Sequence, residues 1–91
     1  MNKNTCKALI TQRLREALNN YQSSSGLTQE KLAEKLHISP RACSSLQNGK
    51  SGFSAFSILV LFSLLPETTR TALVSELCEI ILEESPNHDA A

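Results

Sequence analysis

The chain has 91 residues, 41% of them hydrophobic and 20% charged, with a formal net charge of zero. That balance suits one compact cytoplasmic domain whose core is thin enough for a partner subunit to add useful burial. Cys6, Cys43 and Cys78 are odd in number and far apart, with no C-x-x-C pair, so neither a zinc nor a disulfide framework is expected, nor any bound metal.

The elements are helical from the start, because Gly and Pro are sparse and the stretches between them are long. Thr5 is expected to cap a first helix with Ile10, Leu14, Ala17, Leu18 and Tyr21 on one face. Ser23, Ser24, Ser25 and Gly26 are expected to end it in a polar loop. Thr28 caps a short second helix lined by Leu32, Ala33 and Leu36, and His37-Ile38 makes a tight break. Ser39 caps a third helix with Pro40 in its first turn, where a missing N–H costs nothing. Asn48-Gly49 closes that helix. Ser54 caps a fourth helix carrying Phe56, Leu59, Val60 and Phe62. Pro66 separates it from a fifth, Glu67 to Glu84. Residues 85–91 read as a disordered tail. The longest apolar stretch, 53–65, falls short of the roughly 18 residues that mark a membrane span, and no secretory signal is visible, so no membrane partner is expected.

Charge is divided along the chain. Residues 1–66 hold eight Lys/Arg against three Glu, a net of +5, whereas residues 67–91 hold Arg70 against six acids, a net of −5. A basic front and acidic tail is the pattern expected when only the front faces phosphates.

The most informative stretch is 27–50, LTQEKLAEKLHISPRACSSLQNGK. Leu27, Thr28, Gln29, Leu32, Ala33, Leu36, Ile38, Ser39, Gly49 and Lys50 fall without a gap on the pattern of the Cro-and-phage-repressor family, also called the xenobiotic-response-element family. The chain resembles that family's helix-turn-helix strongly over these residues and loosely over 5–65. The resemblance implies an all-α, five-helix, lambda-repressor-like domain: residues 1–66 bind DNA, and 67–84 form a C-terminal helix packed on them. It also implies that Gln29 meets a phosphate, and that Pro40, Arg41, Ser44 and Ser45 face base edges. Lys50, Ser51 and the backbone N–H groups around Ser51-Gly52 match the phosphate clamp after the third helix. Arg41 is the strongest reader, because a guanidinium can fork onto guanine O6 and N7. Cys43 takes a slot that the family fills with Ile or Val.

Two departures stand out. The family's buried Arg–Glu pair between the first and third helices is missing, since Gln47 replaces the Glu and no Arg follows Arg15 in the first helix. A neutral contact of Gln47 with Asn19 or Gln22 is expected instead. The segment from Arg13 to Gly26 also looks one helical turn longer than usual.

The fifth helix is apolar around too much of its circumference for one packing face. Leu73, Leu77 and Ile81 form one ridge and Val74, Cys78 and Leu82 another. One is expected on the first and fourth helices, the other on a second copy, giving a homodimer. The function expected is sequence-specific binding of duplex DNA by a transcriptional regulator, a repressor acting through operator occupancy. No enzyme motif, cofactor or small-molecule ligand is implied. The rival reading is a protein-interaction module on the same fold, such as an antitoxin or phage regulatory partner.

Overall fold

The computed structural model describes residues 3–84, which form five α-helices and no strand. These are α1 (Lys3–Ser25), α2 (Gln29–Leu36), α3 (Pro40–Gln47), α4 (Ala55–Leu64) and α5 (Glu67–Glu84). Residues 85–91, expected as a tail, lie outside the described residues.

Side-chain caps start three of the helices. Thr28 Oγ1 accepts from the Lys31 N–H at 3.2 Å, Ser39 Oγ from Ala42 at 3.1 Å and Ser54 Oγ from Ser57 at 3.1 Å. Each meets one of the four N–H groups that a helix start leaves unpaired. Thr5 is not a cap, however. α1 begins at Lys3 because no breaker stands in the polar residues before Thr5.

Left-handed residues end the first three helices in one way. Gly26 (φ 68), His37 (φ 61) and Gly49 (φ 78) each turn the chain back. The next residue then donates five positions upstream: Leu27 to Gln22 O at 3.3 Å, Ile38 to Ala33 O at 3.1 Å, and Lys50 to Ser45 O at 2.9 Å. Such a turn satisfies carbonyls that would otherwise face nothing. It also corrects the expectation for Ser23, Ser24 and Ser25, which are helical rather than looped. Serine is only a mild helix breaker, so α1 runs on until glycine permits the turn.

The core draws on every helix. Leu14 and Leu18 meet Leu32, Ala33 and Leu36, then Cys43 and Leu46, with Leu61, Leu65 and Leu73 closing the far side. Leu18, Leu32, Leu36 and Leu61 are fully enclosed, and each such leucine contributes about 1.5–3 kcal/mol. In α4 the buried side chains are Ser57 and Leu61, while Phe56 and Leu59 stay in solvent.

α5 lies chiefly along α1. Leu73 is buried and Leu77 half-buried, but Val74, Cys78, Ile81 and Leu82 are exposed. The ridge of Leu73, Leu77 and Ile81, one of the two whose roles the sequence left open, is therefore the inner one at Leu73 and Leu77 but not at Ile81. The fourth helix meets α5 mainly at the corner between them. There Arg70 donates to Phe62 O (Nε, 2.9 Å) and Leu65 O (Nη2, 3.2 Å), capping the end of α4 from the first turn of α5. Arg13 Nε reaches Glu76 at 2.9 Å across the α1–α5 seam, over an open groove of about 450 Å³.

Candidate nucleic-acid interface

α3 is two-faced. Cys43 is fully enclosed and Leu46 nearly so, whereas Pro40 and Arg41 are exposed and Ser44 and Ser45 half-exposed. At about 100° per residue these four outward residues occupy one continuous arc of some 140°, centred nearly opposite the buried pair. The helix thus offers a polar ridge of one cation, two hydroxyls and a proline ring, anchored from behind by apolar packing. The Ser44 hydroxyl already accepts from Asn48 Nδ2 at 3.1 Å, so it retains its own proton to donate.

The residues that the resemblance sets against phosphates lie on either side of α3 along the chain. Gln29 is the first residue of α2, half-buried, directly after its Thr28 cap. Lys50 and Ser51 follow the left-handed Gly49 and are exposed. One expectation here needs correction. The Ser51 N–H bonds to Ser45 O at 3.3 Å, sharing that carbonyl with Lys50, so it is spent inside the chain. What remains of the expected clamp is the Lys50 ammonium, the Ser51 hydroxyl and the Gly52 N–H.

The missing charge pair is replaced as expected. Gln47 Nε2 donates to Asn19 Oδ1 at 2.8 Å and to Gln22 Oε1 at 2.7 Å, while Gln22 Nε2 donates to Leu27 O at 3.2 Å. This amide chain joins the end of α3 to α1 and to the turn before α2. Amides cost less to bury than ions and are well tolerated when each is bonded. The Cys43 thiol also points at Gln47 Oε1, at 3.8 Å. Burial pushes the ionisation of Cys43 up, which suits a structural thiol rather than a reactive one.

Sequence reading overlooked two features of the site. His37 holds a left-handed conformation and sets its ring against Phe56, with centroids 5.9 Å apart. Histidine is among the few non-glycine residues enriched there, so the signal existed but was weak. Arg15 lies against Gly49, its guanidinium carbon 3.1 Å from where a Cβ would stand. No spacing rule in the sequence points to that contact.

A family model described as helix-turn-helix matches residues 13–69, from the middle of α1 into the first turn of α5. The chain belongs to the Cro/C1-type helix-turn-helix family. The match takes in both helices of the motif and the whole supporting core except Leu73. Membership makes this a DNA-binding regulator in general terms, in a family that is not enzymatic. No curated protein and no solved structure matches the chain. Among the described residues, no helix is long and apolar enough to cross a membrane.

Proposed function

We propose that this helix-turn-helix domain recognises a specific duplex-DNA sequence as a homodimer and represses transcription by occupying an operator, with no chemical step. The observation that carries the reading is the division of α3, with Cys43 and Leu46 sealed inward and Pro40, Arg41, Ser44 and Ser45 on one outward arc. On this reading the N-terminal half of α3 enters the major groove. Arg41 forks onto a guanine, Ser44 and Ser45 make weaker contacts, and Pro40 touches a thymine methyl. Gln29, Lys50 and Ser51 hold phosphates on either side and fix the register.

The dimer contact is the outer face of α5, where Val74, Cys78, Ile81 and Leu82 stand in solvent. Leu73 and Leu77, also counted among the dimerising residues from sequence, serve on this reading to hold α5 on α1. A two-fold contact through α5 sets two reading helices about 34 Å apart, one DNA turn.

Selection from a random DNA pool tests the whole reading and should return two half-sites in inverted repeat. On the selected site Arg41→Ala should lose about 1–3 kcal/mol and its preference at one guanine. Lys50→Ala should weaken all sequences alike and lower the salt slope by about one. Equal loss on random and selected DNA would remove Arg41 from base reading. Binding that is weak and indifferent to salt would overturn the DNA reading itself.

A further inference from the structure

The cations of this domain differ in what they are bonded to. Arg13 is committed to Glu16 and Glu76, and Lys31 lies 4.0 Å from Glu34. Arg70 is committed to two carbonyls of α4. Arg15 has no acceptor among the described residues. Its Nε is shut off from solvent and unpaired, and its guanidinium lies flat over Gly49, with Cζ and one Nη each 3.1 Å from the Cβ position.

A structural duty for Arg15 would be to cap α3, as Arg70 caps α4. The bonds exclude it. Ser44 O is taken by the Asn48 N–H, Ser45 O by Lys50 and Ser51, and Leu46 O by Gly49. Those three carbonyls at the end of α3 are already met by the backbone, and no bond joins the guanidinium to any of them. Ion pairing is excluded too, since the position where the family carries an acid is Gln47, whose amide is turned to Asn19 and Gln22.

What remains is a guanidinium whose stem and Nε are held by packing, adjoining the exposed Lys50 and Ser51. Its donors are pre-oriented, so little freedom is lost when an anion arrives. Arginine is also the side chain best suited to a phosphate, which two parallel N–H groups can grip. We infer that Arg15 is a DNA-phosphate contact, forming with Lys50 a two-cation clamp at the C-terminal end of α3, with Gly49 as the slot that seats its guanidinium. Glycine at 49 then serves twice, giving the positive φ and leaving the space. The inference rests on the DNA-binding reading above and adds a contact from α1, outside the two-helix motif.

The test is binding of the selected duplex across a salt series, using Arg15→Gln, Arg15→Lys and the unaltered chain. One lost phosphate contact should lower the slope of log K against log salt by about 0.9. Arg15→Gln should show that loss on selected and random duplexes alike, while Arg15→Lys, which keeps the charge, should recover most of the slope. Thermal melting of each variant separates folding from binding. If Arg15→Gln is too unstable to assay, Arg15→Lys against Arg15→Met gives the same contrast. A lowered melting temperature with an unchanged slope would overturn the inference and make Arg15 structural. A steep slope in the unaltered chain and in every variant sinks Arg15 alone. A flat slope in the unaltered chain sinks the DNA reading, and Arg15 with it.

Discussion

The α2–α3 unit and α5 bury leucine in opposite ways. α2 and α3 have eight residues each, and every large apolar side chain on them is enclosed: Leu32, Leu36 and Leu46. Both start on a side-chain cap and end on a left-handed residue. α5 has 18 residues and spreads its apolar groups so widely that Leu73 is 8% exposed while Leu82 is 67% exposed. A two-turn helix has room for one stripe, so its sequence states which side is inner. A five-turn helix whose apolar groups spread over more than one face states only that it has more apolar surface than one neighbour covers. The motif encloses its large apolar side chains within one chain, whereas α5 leaves Val74, Ile81 and Leu82 in solvent.

The sharpest way to break that contrast is to shorten one leucine from each region. Leu36→Ala should cost about 2–5 kcal/mol in urea unfolding, because a fully enclosed side chain leaves a cavity behind. Leu82→Ala should change the unfolding of dilute protein by no more than about 0.5 kcal/mol. Its effect should appear instead as weaker self-association in sedimentation across a concentration series. Comparable losses in dilute protein would mean that α5 is as self-contained as the motif.

The next effect sharpens how the motif is held to α1. Gln47→Leu removes the donor to both Asn19 and Gln22 and strands two amide oxygens. A stability loss of about 1–3 kcal/mol is expected from such unmet acceptors. Little change in the unfolding midpoint would show that the two amides bond each other once Gln47 is gone.

The smallest effect contrasts the two regions through their thiols. Cys78 on α5 is exposed and Cys43 in α3 is fully enclosed. A thiol reagent should therefore modify Cys78 rapidly and Cys43 only at the rate of unfolding. Cys43→Val should shift stability by no more than about 1.5 kcal/mol. The thiol also sets a direction with pH. Because burial raises its ionisation, the contribution of Cys43 is fully present below its ordinary value of 9.0 and is lost as pH rises further. Alkaline destabilisation should thus be shallower in Cys43→Val than in the unaltered chain. Fast labelling of Cys43 in the native protein would contradict its burial.

Much of this was legible in the sequence, for reasons that differ by element. The caps at Thr28, Ser39 and Ser54 were readable because each precedes an apolar period and the bond is local. The Gln47 contact was readable because two charges were missing together, which left amides to meet. The ends of α1 were not readable, since Thr5 and Ser25 are polar residues that a helix tolerates as well as a loop does. His37 was not, because a left-handed histidine resembles any other turn residue on paper. The inner side of α5 was undecidable by periodicity alone, and only the presence of α1 selects Leu73 and Leu77. Arg15 on Gly49 is a contact across 34 positions, and no local rule reaches that far.

The Arg70 clamp at the corner between α4 and α5 has a mechanical meaning. With 18 residues, α5 is a rod about 27 Å long that turns about a pivot at Leu65 and Pro66 and rests along α1. A tilt of about 10° at that pivot displaces the far end by roughly 5 Å, more than a base-pair step. Two hydrogen bonds from one guanidinium therefore share with the α1 seam, where Arg13 meets Glu76, the fixing of that angle. Loosening that pin with Arg70→Lys would leave α3 and its readers untouched. With α5 joining two copies as proposed, the cost would fall on alignment, as a broader distribution of half-site spacings accepted by the same protein.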